Sequence, residues 1–423
     1  MFDLMYGASS PFNIYRGREG HPIPALRDLT SAKIVSSWHI TRRSLNILPR
    51  DLFDVLLCHS CKAVLHNQSG APRLCLMHII KKWPLPIVKL RAAIPKIKVA
   101  LGMTCKTKKT IFIFEVLMHV MNGVCQADDD SKLTILDFSD IPMNGDLCLK
   151  ILQKVSSSNK TRPLTIILDL TIDDENYKSL KRLLIPAPYL RVKCHRLILN
   201  SLGKDRIADI MSHIDNEVVR GLALELNSLE NKGFTALLPK MKKFRNLRSL
   251  DLSYNLIDAR YDQSLIRITA DAFSNLLHLD RLSLSHNILR GSLRSLLEPL
   301  NKPLEALYVC ECKLSSSDFA YLTNCRHLQT MKELDLSANN LEQEAGNLEK
   351  LLQNAGLTLE YLGLDNTHLN IVNYPVSLWT RVSHQLRTLI AVTMRGNSFC
   401  TEDRAAILIP LSRNARNLIA VLF

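Results

Sequence analysis

The 423-residue sequence predicts an α/β fold: a right-handed solenoid of leucine-rich repeats preceded by a helical N-terminal region. Three observations predict it. The pattern LxxLxLxx(N/C)xL recurs through the second half, its central leucines return at near-constant spacing, and the segments between them carry apolar residues at helical spacing. Hydrophobic residues make up 47% of the chain but aromatics only 6%, a bias that suits leucine ladders better than one aromatic-rich core.

The repeats read LRSLDLSYNLI from Leu247, LDRLSLSHNIL from Leu279, LEALYVCECKL from Leu304, MKELDLSANNL from Met331, LEYLGLDNTHL from Leu359 and LIAVTMRGNSF from Leu389. Upstream, VRGLALELNSL from Val219 fits well and CHRLILNSL from Cys194 fits in part. LTIILDL near Leu164 and LTILDFSDI near Leu133 are degenerate. The central positions Leu222, Leu250, Leu282, Leu307, Leu334, Leu362 and Val392 are 28, 32, 25, 27, 28 and 30 residues apart. That length is the ribonuclease-inhibitor-like class, in which each strand is followed by a true helix. The chain accordingly reads as an unassigned extension (1–24), a helical region (25–120), degenerate repeats (121–218) and regular repeats (219–423). Its last residues read as a strand without a terminal cap, which leaves an apolar edge.

Each repeat element has a physical reason. The leucines at the first, fourth and sixth positions point inward, and no single repeat covers its own apolar face, so neighbours stack into one core. Asn255, Asn287, Cys312 and Asn339 fall where the chain turns and can bond backbone groups left buried there. Asp205–Ile214, Phe234–Phe244, Ala270–His278, Arg294–Leu300, Ser317–Thr323 and Asn347–Ala355 read as the outer helices. The long step after Leu250 holds DARYDQSLIR, an insertion that reads as a candidate contact loop or a plain connector. Residues 25–120 do not fit the repeat and read as helices over Leu26–Ile47, Asp51–His66 and Arg73–Lys82.

Residues alternating with the core leucines face the inner, concave wall. Among them are the acids Glu225, Asp251, Glu333, Asp335 and Asp365 and one base, Arg281, a net of −4 on a chain whose total is +14. Tyr308 and Tyr361 stand on the same wall as candidate aromatic anchors. The expectation is a face that accepts a basic or hydrogen-bonding protein segment; an ordinary polar strand face would carry the same residues.

Composition narrows the alternatives. The basic residues come in short clusters, such as Lys106–Lys108–Lys109 and Lys240–Lys242–Lys243–Arg245, without interleaved aromatics or a nucleic-acid motif, so they read as a solvated surface. No signal-peptide core opens the chain, and no apolar run approaches a membrane span. Eleven cysteines without a pairing pattern suggest reduced thiols in the cytoplasm, with the nucleus open. No phosphate loop, zinc-protease or serine-hydrolase motif occurs, so neither an enzyme nor a cofactor is expected. Cys58, Cys61, Cys75 and His78 have zinc-like spacing, but both pairs fall on expected helices and no metal site is assigned.

Some residues carry a resemblance. Leu45-Asn46-Ile47-Leu48-Pro49-Arg50-Asp51-Leu52-Phe53 resembles the LPRELF helix start of the PRAME and leucine-rich-repeat-containing protein 14 family. Ile79-Ile80-Lys81-Lys82-Trp83-Pro84-Leu85 resembles that family's WPF/WPL signature, and Pro303-Leu304-Glu305-Ala306-Leu307 its later repeats. The resemblance covers roughly Leu26 to Phe423. It implies a substrate-recognition subunit of a cullin-RING ubiquitin ligase that recruits elongin through an N-terminal box. It also implies, as the alternative, a non-catalytic negative regulator of Toll-like-receptor NF-kappaB signalling that binds a kinase stoichiometrically. Leu57, Cys61 and Leu65 have the i, i+4, i+8 spacing of the elongin-binding box, a stripe that a plain amphipathic core helix shares.

Overall fold

The computed structural model describes residues 87–89, 106–126, 133–139, 141, 143–157, 163–185, 187–260, 262–415 and 417–423. The expected helices at Leu26–Ile47, Asp51–His66 and Arg73–Lys82 lie outside these residues. So do Leu57, Cys61 and Leu65 and the zinc-like set Cys58, Cys61, Cys75 and His78. The chain divides into two compact units, one reaching to Leu197 and one from Ile198 to Phe423.

The first unit contains strands β1 (Ile87–Lys89), β2 (Ile135–Phe138) and β3 (Leu164–Ile172), with helices α1 (Lys106–Cys125), α2 (Gly145–Ser156) and α3 (Tyr177–Leu184). β1 pairs parallel with β2, and β2 with β3, in the register Val88↔Leu136↔Ile166. Asn144 caps α2 by accepting the Leu147 N–H at 3.0 Å. β1 falls within the span read as helical: parallel strand pairing therefore begins before the leucine pattern becomes visible. β4 (Leu190–Leu199) runs across the division between the units.

The second unit is an α/β leucine-rich-repeat solenoid. Its strands are β5 (Gly221–Ala223), β6 (Ser249–Asp251), β7 (Arg281–Ser283), β8 (Ala306–Tyr308), β9 (Glu333–Asp335), β10 (Tyr361–Gly363), β11 (Ala391–Thr393) and β12 (Ala420–Leu422). Each pairs parallel with the next, and the central positions share one register: Leu222, Leu250, Leu282, Leu307, Leu334, Leu362, Val392 and Val421. The first seven are those of the repeat pattern, and all seven are buried. Each such leucine contributes about 1.5–3 kcal/mol through burial, so the strand column alone is a major term in stability.

Helices fill the steps between strands: α4 (Gly203–His213), α5 (Glu230–Met241), α6 (Gln263–Phe273), α7 (Leu293–Leu297), α8 (Ser316–Leu322), α9 (Ala345–Ala355), α10 (Val376–Ser383) and α11 (Thr401–Asn414). The expected helix Ala270–His278 is instead α6, which begins inside the insertion. Asp262 starts it, accepting the Leu265 N–H at 2.8 Å. The second half of DARYDQSLIR is therefore helix, and Asn231 clamps its first residue by bonding both the N–H (2.8 Å) and the carbonyl (2.7 Å) of Asp258.

The turn after each strand is built by two columns. The residue before the Asn/Cys position has a positive φ in repeat after repeat: Leu226 (58°), Tyr254 (57°), His286 (58°), Glu311 (52°), Ala338 (55°) and Asn366 (54°), with Gly396 at 69°. That left-handed backbone is costly for residues with a Cβ and persists because the next residue over-determines it. Asn287, for example, donates through Nδ2 to the carbonyls of Leu252 (2.9 Å), Leu284 (2.9 Å) and Ser285 (3.2 Å). Its Oδ1 accepts from the N–H groups of Asn255 (3.3 Å) and Ile257 (3.0 Å). Asn255 and Asn339 repeat the arrangement, so each turn is tied to the repeat before it.

Candidate protein-binding face

The short strands of the second unit leave one face without helices, and the side chains alternating with the leucine column populate it. The eight residues picked out on this wall are not equivalent. Arg281 on β7 and Glu333 on β9 belong to strands separated by β8, in the register Arg281↔Ala306↔Glu333. Two strand spacings are about 9.5 Å, a gap that the two long side chains close over the Ala306 methyl. Arg281 Nη2 donates to Glu333 Oε2 at 2.8 Å and to Tyr308 Oη at 3.0 Å, and Tyr308 donates its hydroxyl proton to the same Glu333 oxygen. Burial, with Glu333 alongside, pushes the Tyr308 phenol well above its usual range, so it remains a donor. This bridge is neutral overall.

The remaining four acids form two pairs on either side of it. Asp335 Oδ1 accepts the Ser337 N–H at 3.0 Å, and Asp365 Oδ1 accepts the Arg395 N–H at 2.7 Å. Burial raises the Asp335 carboxyl and the charge on Asp365 adds to it. Gly363 lies beneath: a methyl there would fall on the Asp335 carboxylate. On the other side, Asp251 Oδ1 accepts the Ser253 N–H at 2.9 Å. Burial pushes its pKa up to about 6, with further repulsion from Glu225. Glu225 is 5% exposed, and its Oε2 has no hydrogen-bond partner.

Tyr361, expected as an aromatic anchor, is buried, and its phenol is raised chiefly by desolvation. Its ring supports the floor of the face rather than standing out from it.

A further group on the rim is not singled out by the leucine pattern. The rings of Tyr254 and His286 stack at 3.7 Å between centroids and 15° between planes. His286 Nδ1 is 2.9 Å from Glu311 Oε2, and its Nε2 is 4.0 Å from Cys310 Sγ. The signal is positional: Tyr254, His286 and Glu311 occupy the positive-φ column, so successive repeats bring their side chains together.

Charge is unevenly divided along the chain. Of the 54 Lys and Arg residues, 29 lie in 1–197 against 16 acids, and 25 lie in 198–423 against 24 acids. The second unit is thus close to neutral, and its inner acids are not overwhelmed by a basic background.

Parallel strands in one register, an asparagine ladder and a helix per repeat define a leucine-rich-repeat protein of the long-repeat class. Residues 190–408 match the family described as the PRAME C-terminal domain. The chain belongs to the PRAME family. It is similar to leucine-rich repeat-containing protein 14 of Xenopus laevis, 24% identical over 371 residues that cover 75% of this chain and 72% of that one. It is also similar to human PRAME family member 12, 29% identical over 347 residues covering 74% and 66%. Among solved structures, the leucine-rich repeat-containing protein LegL7 from Legionella pneumophila aligns with a TM-score of 0.41 and 19% identity, over 68% of this chain and 89% of that one.

Proposed function

We propose that the chain is a protein-binding adaptor, the substrate-recognition subunit of a cullin-RING ubiquitin ligase. The inner face holds the protein target, and the N-terminal residues recruit elongin and, through it, a cullin. The observation that carries the binding half is the face itself. A neutral Arg281–Tyr308–Glu333 bridge is flanked by the acid pairs Glu225/Asp251 and Asp335/Asp365, an arrangement suited to gripping a basic, hydrogen-bonding polypeptide. Apart from Glu225, these acids accept from backbone N–H groups or from Arg281 and Tyr308, and none of them stands against an activated nucleophile, which favours binding over catalysis. Family membership and the spacing of Leu57, Cys61 and Leu65 support the recruiting half. No helix among the described residues is long and apolar enough to cross a membrane. Free thiols at Cys148, Cys194, Cys312 and Cys325, all buried, fit a cytoplasmic site of action.

Affinity purification of the full chain tests the recruiting half. Elongin and cullin subunits are expected with the wild-type chain and are lost on Leu57→Asp or Cys61→Asp. Recovery of a signalling kinase in one-to-one ratio, with no elongin, would instead favour stoichiometric restraint of NF-kappaB signalling.

A further inference from the structure

The five carboxylates of the inner face differ in what satisfies them. Glu333 is held by Arg281 and Tyr308, Asp335 by the Ser337 N–H, Asp365 by the Arg395 N–H and Asp251 by the Ser253 N–H. Glu225 stands apart: its Oε2 is buried with no donor within reach. A buried carboxylate oxygen without a donor is among the more expensive features a fold can retain, and native structures keep few of them.

Its position makes the cost larger. Glu225 follows β5 on the same side as Gly221 and Ala223, and its nearest acidic neighbour is Asp251 on β6, 9% exposed. Burial raises the Asp251 carboxyl, and repulsion from Glu225 adds to the rise. Neither has an ion-pair partner among the described residues. Tyr254 borders the pair: burial raises its phenol first and Cys310 adds to that, with the charge on Glu225 near enough to contribute. Two adjacent carboxylates, one unsatisfied, beside an aromatic ring are complementary to a guanidinium or ammonium group, which supplies both the missing donor and the missing charge.

We infer that Glu225 and Asp251 form the subsite of the inner face that receives a lysine or arginine side chain of the bound polypeptide. The inference rests on the protein-binding reading above and adds where the basic side chain is taken. The Asp335/Asp365 end contributes general attraction: each carboxylate has its Oδ1 engaged by a backbone donor, and neither holds a buried oxygen left without a partner as Glu225 does.

The probe is a fluorescein-labelled octa-arginine peptide, with an octa-glutamine peptide as control, titrated by anisotropy against the full chain. Glu225→Gln is expected to weaken octa-arginine binding at least tenfold and Asp251→Asn severalfold. Asp271→Asn, an exposed acid on α6, is expected to leave it unchanged. Glu225→Gln is also expected to raise the thermal midpoint of the free protein, because it removes an uncompensated charge. A purely structural glutamate would lower the midpoint. Equal affinity for wild type and Glu225→Gln, no binding of the peptide by wild type, or a lowered midpoint would each overturn the assignment. A chain that recovers elongin and its target but holds that target equally tightly as Glu225→Gln keeps the adaptor reading and loses the subsite.

Discussion

Arg281 reaches over a whole strand to Glu333: 52 residues separate them, and Nη2 lies 2.8 Å from Oε2. The contact exists because Ala306 is the residue between them in the register, and a larger side chain there would hold the two apart. It joins β7 to β9 and fixes the centre of the inner face, with Tyr308 closing the triangle.

A double-mutant cycle on Arg281→Ala and Glu333→Ala should therefore give a coupling of roughly 1–2 kcal/mol in urea unfolding, above the usual value for exposed pairs. Ala306→Leu should remove most of that coupling without touching either partner. Additive single mutants would show that the bridge carries no energy.

Asp318 is a second cross-repeat tie, on the helix side. Its carboxylate, 2% exposed, accepts from the N–H groups of Gly291 (2.7 Å), Leu293 (3.0 Å) and Ser315 (2.8 Å) and from the Ser315 hydroxyl (2.7 Å). Asp318→Ala leaves these donors without their acceptor and should cost about 3–5 kcal/mol, read from the urea midpoint. Asp318→Asn, which keeps one acceptor oxygen, should cost less.

His327 sets a pH dependence. It is fully buried, its Nδ1 accepts the Leu304 N–H at 3.1 Å, and its Nε2 lies 3.2 Å from the Leu297 carbonyl. The ring is thus neutral with its proton on Nε2, donating to Leu297. Burial lowers its pKa from 6.5 to about 4. The unfolded chain takes up this proton first, so the stabilisation is complete above pH 6.5 and is lost as pH falls toward 4, about 3 kcal/mol in all. In His327→Gln, urea midpoints measured across that window should fall less steeply than in the wild type.

Cys312 occupies the ladder position of Asn255, Asn287 and Asn339 but reaches only the carbonyls of Leu284 (3.2 Å) and Cys310 (3.5 Å) through a weak thiol donor. Cys312→Asn supplies the missing amide bonds and should stabilise the chain by about 0.5–2 kcal/mol, visible as a higher thermal midpoint.

The leucine column was legible in the sequence to the residue, because a buried parallel strand tolerates little else at that position and the repeat length is nearly constant. The asparagine ladder was legible for the same reason: its backbone partners recur with the fold. The start of α6 was not, since the step after Leu250 is the longest and Asp262 resembles any loop acid until its bond to Leu265 is seen. β1 was hidden because Ile87–Lys89 follows two prolines and carries no repeat leucines. On the inner face, alternation marked which residues share the wall. It did not show that Glu333 is already paired, that Tyr361 is buried or that Glu225 is unsatisfied. Those outcomes depend on side-chain reach between repeats, which a one-dimensional pattern does not contain.

The central claim is that the inner wall of the second unit grips a polypeptide. Quantitative mass spectrometry of material purified with three full-length chains tests it: wild type, the double variant Asp335→Arg/Asp365→Arg on the wall, and Lys350→Glu on the exposed side of α9. A defined target is expected with wild type and Lys350→Glu and to fall at least tenfold with the wall variant, while elongin recovery stays constant. The same target recovered equally by all three, or lost only from Lys350→Glu, would contradict the claim.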